Sequence, residues 1–246
     1  MNKDLYEKFH SVTKKHKNII SEDNYTHGLI VNLLNKNVRK KSTVLDIGCG
    51  TAVIDFYLAK KGHTVEGIDV SERAIKSCSE NSRNLGVSSR TKFSVNTIEG
   101  YKNRNLFDVI LLLEVIEHIK KDDQALRKIR SLLKKNGILI LSTPSVNAPL
   151  HKIGFLKSFD KRVGHLRRYS TNQIETKINQ SGLEVIEIIK NEGIVRNFIF
   201  TSTIGGKIIL RLINRMAILR KLIVVIDDFF LKLFGESDIL VIAKNP

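Results

Sequence analysis

Tryptophan is absent from this 246-residue chain, proline occurs three times and cysteine twice, and each scarcity excludes something. Two cysteines, Cys49 and Cys78, make no disulfide framework and fit a reducing compartment. No stretch reaches the ~18 uncharged apolar residues that a membrane span needs. The first twenty residues, MNKDLYEKFHSVTKKHKNII, are charged throughout and lack the apolar centre of a signal peptide. A soluble, cytoplasmic protein is expected. No repeat or low-complexity linker interrupts the chain.

Positive charge, by contrast, is abundant: 41 Lys+Arg stand against 25 Asp+Glu, a formal charge of +16. Such a surface suits nucleic acid, anionic lipid or anionic metabolites. Joint richness in Lys, Asn and Ile is equally what AT-rich coding produces. No arginine stripe interleaved with aromatics singles out nucleic acid. The 42% apolar fraction excludes wholesale disorder, and the length suits one domain with an elaborated insert.

Between residues 43 and 143 short apolar runs alternate with helical patterns: TVLDI at 43–47, TVEGID at 64–69, KFSV at 92–95, FDVILLL at 107–113 and GILILS at 137–142. Unbroken apolar strands are buried on both faces, which means a parallel sheet covered by helices. Ser71 caps a helix running to about Asn84, with Gly86 beyond it. Asp122 or Asp123 opens another, with Leu126, Ile129, Leu132 and Leu133 on one face, Lys134 and Lys135 in its last turn and Gly137 after it. Ser170 and Gln173 have capping-box spacing before a helix that Gly182 stops. Runs at 183–190 and 238–244 complete seven strands. The fold class is therefore α/β: a doubly wound, seven-stranded, mostly parallel sheet with a helical cap. Its parts are a helical extension (1–40), a core (41–192), a helical insert (193–236) and a closing strand (237–246).

The chemistry concentrates in Val44-Leu45-Asp46-Ile47-Gly48-Cys49-Gly50-Thr51-Ala52, a buried strand that ends in an acid and turns through glycines into a helix. Glycine lets the backbone turn tightly and a ligand approach it. Nineteen residues after Gly50 the second strand ends in Asp69, placed to receive a ribose diol. A dinucleotide fingerprint, G-x-G-x-x-G, needs glycine where Val53 stands, so it fails. The remaining D-x-G-x-G-x-A brings a carboxylate to the ligand, which suits a cationic sulfonium amino acid better than a pyrophosphate.

VLDIGCGTA with GIDVS resembles the first two motifs of class I S-adenosylmethionine-dependent methyltransferases, over roughly residues 40–190 and the closing strand. FDVILLLEVIEHI, LLKKNGILILSTPS and GHLRRYS resemble the ubiquinone-biosynthesis O-methyltransferase branch. Ala52 stands where the family has a third glycine. The resemblance implies that Gly48, Cys49 and Gly50 lie under the methionine part of S-adenosylmethionine, oriented with help from Asp46. It implies Asp69 on the ribose, Val70 on the adenine, Thr97 and Ile98 at the adenine edge, and Glu114 beside the methionine moiety. It also implies a last strand antiparallel to the rest.

Methyl transfer from a sulfonium needs alignment and, for a hydroxyl acceptor, a base. His118, at the carboxyl end of the fourth strand, is one candidate and His165 another. Arg167 and Arg168 beside it, with Tyr169, are candidates to hold a carboxylate or phosphate on the acceptor. No metal is expected, although some quinone methyltransferases use an E-x-x-E-H run, here Glu114, Glu117 and His118, for a divalent ion. Cys49 and Cys78 read as small buried residues. A base-methylating cysteine nucleophile and an Asn/Asp-Pro-Pro-aromatic motif are both missing, which counts against nucleic acid. In 193–236 Lys207, Arg211 and Arg215 recur every four residues, followed by Arg220 and Lys221, with Ile208, Ile209, Leu212 and Ile213 elsewhere. Such a segment can lie on an anionic membrane, here the inner membrane face; a solvated helical cap is the other reading. The expected activity is methyl transfer to a small amphiphilic acceptor, most simply at a hydroxyl. The alternatives are an RNA or protein methyltransferase, or a module that binds the cofactor without catalysis.

Overall fold

The apolar runs form strands where the pattern places them. They are β1 (Thr43–Ile47), β2 (Thr64–Asp69), β3 (Thr91–Val95), β4 (Phe107–Leu113), β5 (Leu133–Pro144), β6 (Glu184–Asn191) and β7 (Asp238–Lys244). This is a computed structural model describing residues 3–9, 16, 18–22, 24–103, 105–202 and 205–246, with the backbone alone at 9, 205, 207, 208, 211 and 214. The strands make a seven-stranded sheet of order β3-β2-β1-β4-β5-β7-β6. β1 pairs in parallel with β2 and β4, and β7 runs antiparallel to both β5 and β6. The expected doubly wound sheet with a reversed last strand is what the chain forms.

Alternation along the central strands splits the core. Leu45, Ile47, Ile110 and Leu112 face one side with Leu126, Ile129, Ile174 and Ile178. Val44, Val109 and Leu111 face the other with Val31, Leu34, Phe56, Leu58 and Ile75. The helices that carry these residues are α2 (Gly28–Asn37), which follows α1 (Lys3–Phe9), then α3 (Val53–Lys60), α4 (Glu72–Asn84) and α5 (Asp122–Leu132). After the short α6 (Pro149–Lys152) and α7 (Lys157–Val163) comes α8 (Thr171–Gln180). Ser71 Oγ accepts from Ala74 N at 3.1 Å, and Ser170 with Gln173 forms the reciprocal capping box.

β3 and β6 are shifted by one residue from the expected bounds, and one boundary differs by more. α5 ends at Leu132, and Lys134 and Lys135 belong to β5 instead of a last helical turn. Lys134 Nζ donates to both oxygens of Asp108 on β4 at 2.9 Å, and Leu133 pairs with Phe107. That cross-strand ion pair, and not a helix dipole, accounts for Lys134.

Segment 193–236 folds as α9 (Ile194–Thr201), α10 (Gly205–Arg215) and α11 (Ala217–Phe234), with a small core of Ile199 and Ile213 joined by Leu219, Ile223 and Val224. The side chains of Lys207 and Arg211, two of the five basic residues expected in the stripe, and of Ile208 lie outside the described residues. The exposed apolar face is instead on α11, where Ile218, Leu222, Val225, Ile226, Phe229 and Leu233 are 39–85% exposed. Among the described residues no helix is long and apolar enough to cross a membrane.

Candidate active site

The strand order reverses between β1 and β4, and open α/β sheets bind ligands at such a switch, outside the carboxyl ends of the strands. The glycine loop lies there. Gly48 N and Cys49 N both donate to Ile68 O, at 2.7 and 3.1 Å, which fastens the loop to β2. Gly48 has φ +76°, and a Cβ there would meet Val115 Cγ2 at 2.5 Å, so no side chain fits. Ala52, where the resembled family has glycine, sits at φ 57° and ψ 30° ahead of α3, a left-handed conformation that costs an L-residue ~1–2 kcal/mol.

Asp69 accepts from Gly50 N at 3.0 Å and from Ser71 N at 2.9 Å. Cys78 Sγ donates to Gly50 O at 3.2 Å. Asp46 faces the fully buried Asp55 of α3. Burial pushes Asp46 up to about 7; burial, then the charge of Asp46, pushes Asp55 well above the carboxylate range. Burial and the neighbouring charge of Asp46 both favour the protonated form of Asp55.

Two cavities open at this edge. One, of about 370 Å³, lies on the glycine loop and is lined by Asp46, Gly48, Cys49, Thr51 and Ser142 among others. The second, of about 330 Å³, is lined by Tyr6, His118, Phe159, His165, Arg168 and Asn197 among others. Glu114, Glu192, Phe200 and Asp238 line both. Asp69, Val70, Thr97 and Ile98 line neither. At their end α1 packs against the start of α4, with Lys3 Nζ 2.6 Å from Glu72 Oε1 and Glu7 Oε1 accepting from Glu72 N. Thr97 Oγ1 accepts from Gly100 N at 3.1 Å and so closes its own turn.

The imidazoles lie together, ring centres 4.9 Å apart, but differ in environment. His118 Nδ1 donates to Gly164 O at 3.0 Å, and burial pushes the ring down to about 4. His165 Nδ1 donates to Asp160 Oδ1 at 2.8 Å, which leaves Nε2 as the acceptor nitrogen. Hydrogen bonds from His165 and Arg168 outweigh burial and hold Asp160 well below the usual carboxylate range. Arg168 reaches Asp160 through Nη2 at 2.6 Å and Nε at 3.0 Å. Arg167 and Tyr169 are elsewhere: Arg167 Nη1 and Tyr169 Oη donate to Asp122 Oδ2 at 2.8 and 2.7 Å, so the pair bolts the GHLRRYS loop to the start of α5. Expected as acceptor ligands, these two line neither cavity because Asp122 already engages them.

Among the described residues the cluster with metal-ligand geometry is Glu117, His118 and His165, one ligand atom from each within 4.8 Å of the others. Glu114 is not in it; its Oε1 accepts from Ser142 Oγ at 2.6 Å. Glu117 is fully buried and, through burial first, pushed well above the carboxylate range. The spacing Glu114-Glu117-His118 thus names one partner that the cluster lacks: Glu114 is bonded to Ser142, and His165 takes its place. Sequence reasoning also missed Glu192, Asn197, Phe200 and Asp238, which no motif connects.

A family described as a methyltransferase domain matches residues 38–193. The ubiquinone biosynthesis O-methyltransferase of Rickettsia canadensis is 36% identical over 103 residues, 42% of this chain and 43% of the relative. The chain thus spans less than half the length of that relative, and the same holds for its Rickettsia felis counterpart. Among solved structures, phosphoethanolamine N-methyltransferase 2 of Haemonchus contortus, in complex with S-adenosyl-L-methionine, has a TM-score of 0.64 at 19% identity, covering 88% of this chain and 52% of that one. The cyclase SpnF has a TM-score of 0.65 at 17% identity, covering 99% and 92%. A cyclase on the same fold means that the fold by itself does not select the reaction. From the glycine loop to the end of β6, the chain belongs to the methyltransferase domain family.

Proposed function

We propose that the protein is an S-adenosylmethionine-dependent methyltransferase that methylates a hydroxyl of a small amphiphilic acceptor. The observation that carries this reading is the pair of cavities with a common wall: a glycine-loop cavity on one side and an imidazole–carboxylate pair on the other. The donor set fits the cofactor. The loop is bare at Gly48 where a Cβ would not fit, and the cavity beside it offers the carboxyls of Asp46, Glu114 and Glu192 to a cationic amino acid.

When bound, the cofactor would supply an electrophilic methyl group on positive sulfur, with the neutral thioether S-adenosylhomocysteine as its leaving group. The protein's share is positioning and proton removal. Asp46, steadied by Asp55, and Glu114, steadied by Ser142, face the methionine end. His165 serves as base: Asp160 fixes the tautomer, leaving Nε2, 3.9 Å from Glu117 Oε1, as the accepting nitrogen, and stabilises the imidazolium that forms when the hydroxyl proton arrives. His118, buried and weakly basic, packs beside it. The resemblance to quinone-biosynthesis enzymes supports a ring hydroxyl on a lipid-like acceptor.

The α11 face supports docking on an anionic membrane. Six apolar side chains along one helical face meet solvent beside Lys221 and Lys232, on a chain of charge +16. Flotation with anionic vesicles is expected, and Val225→Lys with Phe229→Lys abolishes it. Equal flotation of that variant would remove the membrane docking.

Labelled-methyl transfer into fractionated lipid, polar-metabolite and RNA pools tests the activity. Label in the lipid or small-metabolite pool is expected; label in RNA alone, or no affinity of folded protein for S-adenosylmethionine or S-adenosylhomocysteine, would overturn it.

A further inference from the structure

Both cavities are walled by Glu114, at the end of β4, Glu192, at the end of β6, and Asp238, at the start of β7. Three strands distant in sequence converge here because β7 runs antiparallel, which brings its first residue to the edge where the others finish. The fourth shared residue, Phe200 of α9, is aromatic. Buried polar atoms without partners lie around them, Arg196 Nε among them. Asp238 Oδ1 is buried without a partner. Asn197, 7% exposed and on the wall of the second cavity, likewise has its side-chain oxygen unpartnered. Arg196 offsets part of this charge, with Nη2 at 3.9 Å from Glu192 Oε1, but Nη1 donates to Asn191 Oδ1 and the guanidinium stands over Tyr25. Three carboxyls and an aromatic ring on the shared wall, with an unpaired amide oxygen on the wall of the second cavity, suit a cation.

A methyl group passing between the two cavities must cross at the wall they share. We propose that Glu114, Glu192, Asp238 and Phe200 hold the positive sulfur of the methyl donor at this junction, and that they distinguish the charged donor from its neutral demethylated product. The inference rests on the proposed methyltransferase reading and deepens it, adding three residues to the donor site and a reason for product release. Transfer turns a cation into a neutral thioether, so the attraction disappears when the reaction is complete. In the absence of a cation the acids hold protons instead: burial and the charge of Glu114 push Asp238 well above the carboxylate range.

The test compares ligands of different charge at the reacting position. Sinefungin, which carries an ammonium there, and S-adenosylhomocysteine, which is neutral, are titrated calorimetrically into the full chain and into Glu192→Gln and Asp238→Asn. The wild-type protein is expected to bind sinefungin about tenfold more tightly, and each variant to lose most of that ratio, ~5–10-fold, while its affinity for S-adenosylhomocysteine stays within about twofold. A ratio unchanged in the variants, with both ligands bound, overturns the inference and leaves the methyltransferase reading standing. Failure of the wild-type protein to bind either ligand brings down both. Should neither variant fold, a wild-type protein that binds sinefungin no better than S-adenosylhomocysteine overturns the inference without them.

Discussion

Asp227 is the point at which the helical cap is fastened to the active site. It lies on α11, fully buried, and its carboxylate accepts from Gly193 N at 2.8 Å and Arg196 N at 2.9 Å, the first amides of α9. α9 has no side-chain cap of its own, because its N-cap is Gly193. Glycine is required there, since a Cβ would lie 2.4 Å from Asp227 O. Replacing Asp227 with alanine strands two buried amides and removes a negative charge from a helix N-terminus. Hydrogen bonds to a charged group are worth ~1.5–3 kcal/mol each, and the dipole contact adds ~0.3–1 kcal/mol. With partial rescue by water the loss is about 3–5 kcal/mol, and Asp227→Asn, which keeps one acceptor, costs about 1–3 kcal/mol. At ~2–4 °C per kcal/mol for a chain of this size, Tm falls by roughly 6–20 °C in the alanine variant. Because α9 carries Asn197 and Phe200 to the cavities, affinity for S-adenosylhomocysteine falls with it. Thermal unfolding and hydrogen exchange over 193–201 measure the effect. Unchanged Tm together with unchanged amide protection would refute the fastening role of Asp227.

Gly48→Ala forces a left-handed alanine, ~1–2 kcal/mol, against Val115 and is expected to weaken cofactor binding at least about tenfold by calorimetry. His165→Gln lowers kcat by ~10²–10⁴-fold with cofactor affinity unchanged, whereas His118→Gln costs less than about tenfold. Dialysis against a chelator leaves the rate unchanged; a loss restored by added divalent ion would recast Glu117, His118 and His165 as ligands. Glu192, pushed up to about 7 chiefly by burial and faced by Arg196, Glu114 and Asp227, is ionised above that pH and neutral below it. The preference for sinefungin over S-adenosylhomocysteine therefore rises from pH 6 to 8, and Glu192→Gln flattens the rise to the part that Asp46, also pushed to about 7, supplies. For folding the sign is opposite: a raised carboxyl stabilises the native state below the unfolded-chain value of 4.5, and that contribution is lost as pH climbs through 7.

What the sequence disclosed follows from how local each signal is. β1, β2, β4 and β7 were legible to the residue because a strand buried on both faces is an unbroken apolar run, and Ser71 and Ser170 announced their helices by capping chemistry. Leu133-Lys134-Lys135-Asn136 misread as a helix end because its reason for being strand is a partner 26 residues upstream, Asp108. The loop from Asp46 to Gly50 was legible for the same reason as the strands: its parts are contiguous.

The junction was legible only at Glu114, which the family resemblance singled out; Glu192 and Asp238 each flank an apolar run and belong to no motif. The +16 charge named no particular partner, and the arginines that the GHLRRYS loop offered for an anionic acceptor, Arg167 and Arg168, bond to Asp122 and Asp160. Reading only the residue at the open edge of each strand gives a different sign: Asp46 on β1, Asp69 on β2, Glu114 after β4, Glu192 after β6 and Asp238 opening β7. Five of seven strands deliver an acid to one edge of a basic protein. Crowding like charges costs free energy unless a cation arrives to share them, so the edge is built for a ligand whose sign matches the rest of the surface. Surface charge governs what the protein approaches, and strand-end charge governs what it holds.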